Sequence, residues 1–170
     1  VKRGDRAGGL VFTDDDHQLV IPKRSKALVQ YFLQLVSVAN EKLTNRSILK
    51  PNTPRLNEML DRTLKNITHD YVVTIVSDLS NHDSNTKKLL QKISYHNDVI
   101  VIHISDPLDE ELPDGKILLT DAEHQIQWHN SKKDWGKKYK DTAATFKQQL
   151  KDELKHYAIP VQFYNTAEPV

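Results

Sequence analysis

The chain has no cysteine at all. That excludes disulfide scaffolds, thiolate zinc sites and cysteine nucleophiles, and it fits a reducing, cytoplasmic compartment. Long apolar runs are missing too: no stretch approaches the roughly 20 residues needed to span a bilayer, and the polar start Val1-Lys2-Arg3-Gly4-Asp5 is no signal peptide. Charge of one sign is not in excess, since 24 basic and 23 acidic residues leave a net +1. The composition therefore carries no general electrostatic drive toward nucleic acid or anionic membrane. Glycine is scarce, with five residues, and Gly4, Gly8 and Gly9 fit neither phosphate-loop spacing. No Gly-x-Ser-x-Gly elbow occurs. The only methionine is Met59 and the sequence opens at Val1, so it reads as a piece of a longer polypeptide.

What is present suits a folded domain. At 170 residues, 38% hydrophobic and 28% charged, the chain reads as one domain, residues 1–170, with enough apolar material for a core. Gly9-Leu-Val-Phe12 and Gln18-Leu-Val-Ile21 read as a hairpin around the polar Thr13-Asp-Asp-Asp16. Ser25 is placed to cap a helix carrying Leu28, Tyr31, Phe32, Leu35, Ala39 and Leu43 at helical spacing. Thr53 and Pro54 then open a second helix with Leu56, Met59, Leu60, Leu64 and Ile67 on one stripe.

Tyr71-Val-Val-Thr-Ile-Val76 and Val99-Ile-Val-Ile102 are nearly continuous β-branched runs, the pattern of parallel strands covered on both faces. A helix with Leu89, Leu90 and Ile93 lies between them. Lys116-Ile-Leu-Leu119 and Gln125-Ile-Gln-Trp128 read as two short strands. A long helix with Trp135 through Tyr157 on one face and a final strand at Val161-Gln-Phe-Tyr164 complete the order. Strands alternating with helices predict an α/β fold with an open, mostly parallel sheet flanked by helices. Ligands of such sheets bind beyond the carboxyl ends of the strands, where Ser77-Asp78 and Ser105-Asp106 fall.

Two readings of Asp78 stand side by side. Its carboxylate, with the hydroxyls of Ser77 and Ser80, suits a hard divalent cation; equally, it suits a helix cap or an Asx-turn. Asp106 before Pro107 reads as a strand stop. Thr53 is above all an N-cap, although a capping hydroxyl can also face a site. The eight histidines show no zinc spacing. His103, inside a strand, reads as a hydrogen-bonded core residue, and His96 as a partner of a helix dipole. The lysines at 132, 133, 137, 138 and 140 alternate with Asp134 and Asp141, a solvated helix face.

The order of motifs resembles a bacterial family, the domain of unknown function numbered fifty-eight. The match rests on Gly4-Asp5-Arg6-Ala-Gly-Gly-Leu-Val-Phe12, Pro22-Lys-Arg24, Ile75-Val-Ser77-Asp78-Leu79 and His96-Asn-Asp98-Val-Ile-Val-Ile-His-Ile-Ser-Asp106-Pro107. Glu110-Glu-Leu-Pro113 and Thr120-Asp121-Ala-Glu123 continue it. The resemblance implies a von Willebrand factor A-like, Rossmann-like core and a non-catalytic protein-binding module that assists a MoxR-type AAA+ ATPase in protein assembly or remodelling. It also implies Mg2+ or Mn2+ in the full-length protein, at a metal-ion-dependent adhesion site to which Thr53 and Asp78 contribute. A membrane tether upstream is a further implication. The sequence departs from the pattern in lacking the Asp-x-Ser-x-Ser loop, so the first strand, its loop and the first helix are expected upstream of Val1. Two alternatives remain: a metal-dependent phosphohydrolase using Asp78 and Asp106, and a structural module without metal.

Overall fold

A computed structural model describes residues 5–13, 16–42, 53–79, 82–112, 116–120, 125–129 and 133–167; for 53–54, 116–120, 125–129 and 133–135 only the backbone is described. The chain divides into two compact units, Val1–Ile67 and Thr68–Val170.

In the first unit, β1 (Ala7–Phe12) and β2 (His17–Lys23) form the expected antiparallel hairpin, with Leu10 opposite Leu19. A bulge between Ala7 and Gly9 accompanies a close strand approach at Gly8, where a Cβ would meet Val20 O at 2.5 Å and Pro22 N at 2.7 Å. Helix α1 (Lys26–Glu41) packs on this hairpin and is capped as expected by Ser25, whose Oγ accepts from Leu28 N at 3.3 Å. Leu43 lies outside the described residues. Helix α2 (Thr53–Asn66) buries Met59 and Leu60. Arg55 ties it to the hairpin, donating to Thr13 O at 3.1 Å and lying 3.3 Å from His17 Nδ1.

The second unit is built on a parallel sheet of β3 (Val72–Ser77), β4 (Asp98–Ser105) and β7 (Val161–Asn165), in the order β3-β4-β7. β-Branched residues dominate β3 and β4 because they suit a pleated surface. Helix α3 (Ser84–Ser94) makes the β3-to-β4 crossover and buries Leu89, Leu90 and Ile93. A one-turn helix α4 (Pro107–Glu110) follows β4. β5 (Lys116–Thr120) and β6 (Gln125–His129) pair antiparallel as a separate hairpin. The long α5 (Lys133–Lys155), which buries Leu150 and Leu154, leads to β7.

The α/β class and the parallel sheet flanked by helices are as expected, consistent with a Rossmann-like arrangement. One expectation fails: β3 is not covered on both faces. Among the described residues it is an edge strand, and its side chains alternate between exposed and half-buried, with Val72 and Val76 67% and 60% exposed. An apolar run signals burial potential, but whether both faces are covered depends on neighbours that composition does not specify. β4, in the centre, is the truly buried strand, with Val99, Val101, His103 and Ser105 all turned inward.

Candidate functional site at the carboxyl ends of the parallel strands

In-register parallel pairing brings Ser77 opposite His103, His103 opposite Phe163, and Ser105 opposite Asn165. The strand ends therefore gather Asp78, His103, Ser105, Asp106 and Asn165 at one end of the sheet.

The half of this cluster around β4 and β7 is a closed internal network. Glu110 Oε1 accepts hydrogen bonds from Ser105 Oγ at 2.5 Å and Asn165 Nδ2 at 3.2 Å, and Lys147 Nζ on α5 lies 2.6 Å away. The Lys147 and Ser105 hydrogen bonds hold the Glu110 carboxyl below its ordinary value, against a smaller opposing effect of burial. Asp106 is a helix cap. Its Oδ1 accepts from Leu108 N at 2.9 Å, its Oδ2 accepts from Thr166 Oγ1 at 3.2 Å, and Asp109 returns the bond to Asp106 N, a capping box. The strand-stop reading of Asp106 is thus the one the structure supports.

His103 is 4% exposed and lies between the rings of Phe146 and Phe163, at centroid distances of 5.9 and 5.3 Å. Burial, followed by the charge of Lys147, pushes its imidazole below the usual histidine value; the Asp78 charge, a hydrogen bond to the Asp78 backbone and the Glu110 charge oppose this. The expected core position is observed, while its Nδ1 has no hydrogen-bond partner. Local spacing could not reveal that, because the imidazole's neighbours come from α5 and β7.

Asp78 lies on the β3 side of this cluster. It is exposed at the end of β3 and does not cap α3; that task falls to Asp83, whose Oδ1 accepts from Thr86 N at 2.7 Å. Ser77 Oγ donates to Asp78 Oδ1 at 3.5 Å and accepts from Leu79 N at 3.1 Å. Leu79 adopts φ 48°, the left-handed region, yet is 1% exposed. This conformation costs an L-residue roughly 1–2 kcal/mol. Leu79 O accepts from His82 N at 3.1 Å and from His82 Nδ1 at 2.8 Å, and the second contact fixes the proton on that nitrogen.

Thr53 opens α2 in the first unit, as its first helical residue rather than the residue before it, and its side chain is not among those described. Asp78 belongs to the second unit. The donor chemistry of an exposed carboxylate fits a hard cation such as Mg2+ or Mn2+. Among the described residues no group of three or more His, Asp or Glu converges, so these residues offer one carboxylate of a shell and not the whole of it. His96 lies exposed just after α3, and Ser80 and residues 121–124 lie outside the described residues.

The fold is α/β, and its second unit gathers polar side chains at the carboxyl ends of a three-stranded parallel sheet. The chain belongs to the family described as "Protein of unknown function DUF58", whose model matches residues 1–149. No curated protein and no solved structure matches it. No helix among the described residues is long and apolar enough to cross a membrane.

Proposed function

We propose that the chain forms a von Willebrand factor A-like, non-catalytic protein-binding module, dependent on Mg2+ or Mn2+, that assists a MoxR-type AAA+ ATPase in protein assembly or remodelling. Asp78 supplies one cation ligand.

The observation that carries this reading is the division of labour at the strand ends. Asp106, Ser105 and Glu110 cap and cross-link the second unit, and the Asp78 carboxylate is exposed at the end of β3. An exposed carboxylate at the sheet's edge suits a cation whose open position a partner carboxylate fills. The edge position of β3 among the described residues, with Val72 and Val76 exposed, suits the addition of a further strand. The phosphohydrolase reading would need Asp106 as a second ligand, yet both its oxygens already accept hydrogen bonds within the fold.

The test is co-purification of a MoxR-type ATPase with the full-length protein in Mg2+ and in a chelator. Capture that requires the cation and is lost in Asp78→Ala supports the reading. Phosphoester turnover with Mn2+ that disappears in Asp78→Ala would replace it with the hydrolase.

A further inference from the structure

We draw no further inference here: the strongest candidate, the face of the parallel sheet turned away from His103, where Val72, Val76 and Tyr164 are 67%, 60% and 43% exposed beside the half-buried Ile102 and Ile104, is an apolar surface for which nothing among the described residues shows what covers it.

Discussion

Glu110 is the point at which β4, β7, α4 and α5 are fastened together, so replacing it by glutamine isolates the contribution of one charge. The amide of Glu110→Gln keeps an acceptor oxygen for Ser105 Oγ and Asn165 Nδ2 but no longer neutralises Lys147, 2.6 Å away. Both partners of that ion pair are partly shielded, at 25% and 32% side-chain exposure. The loss therefore lies above the surface-pair range yet well below a fully buried one, roughly 1 kcal/mol. Glu110→Ala also removes the acceptor for two hydrogen bonds and should cost about 2–3 kcal/mol. For a unit of this size 1 kcal/mol moves the melting temperature by roughly 4–8 °C.

The pH dependence has a definite sign. The Glu110 carboxyl titrates below its ordinary value of 4.5, so its stabilisation is present above that value and is lost as pH falls through it toward the folded pKa. Urea denaturation of wild type and Glu110→Gln should show a gap at pH 7 that closes in acid. No gap at neutral pH, or one that persists undiminished in acid, would refute the argument that Glu110 acts through its charge.

Other substitutions test other elements of the fold. Asp83→Ala removes the carboxylate that accepts from Thr86 N in the α3 capping box, while the backbone N–H still donates to Thr86 Oγ1, and should cost about 1 kcal/mol by thermal denaturation. Ile93→Ala at 0% exposure leaves a cavity beneath the sheet and should cost about 2–5 kcal/mol in the same assay. Gly8→Ala places a Cβ 2.5 Å from Val20 O and 2.7 Å from Pro22 N, both backbone atoms that cannot swing aside. It should cost about 1–3 kcal/mol in chemical denaturation, with the loss confined to the first unit.

How much was legible in the sequence follows from the range of the interactions. The hairpin, the Ser25 cap and the α3 core residues Leu89, Leu90 and Ile93 were readable because each depends on residues a few positions apart. The role of Asp106 was readable for the same reason, since Asp-Pro is a local signal. Local signals could not locate the edge of the sheet, because Val72 and Val99 sit in similar β-branched runs and differ only in their neighbours. The Glu110 hub was missed as well: its partners lie 5, 37 and 55 residues away along the chain. The left-handed turn at Leu79 carried no sequence signal, because glycine is the usual marker of that conformation and is absent there. At the candidate site the sequence already set Asp78 apart from Asp106, whose Pro107 marks a strand stop; the hydrogen bonds added that Asp106 caps α4.

The central claim is that Asp78, and not Asp106, serves a cation. Calorimetric titration of Mg2+ into the full-length protein, wild type against Asp78→Ala and Asp106→Ala, tests it most directly. The account predicts saturable binding in wild type, its loss in Asp78→Ala, and its survival in Asp106→Ala at a somewhat lower melting temperature. Equal loss in both variants, or no binding in wild type, would contradict it.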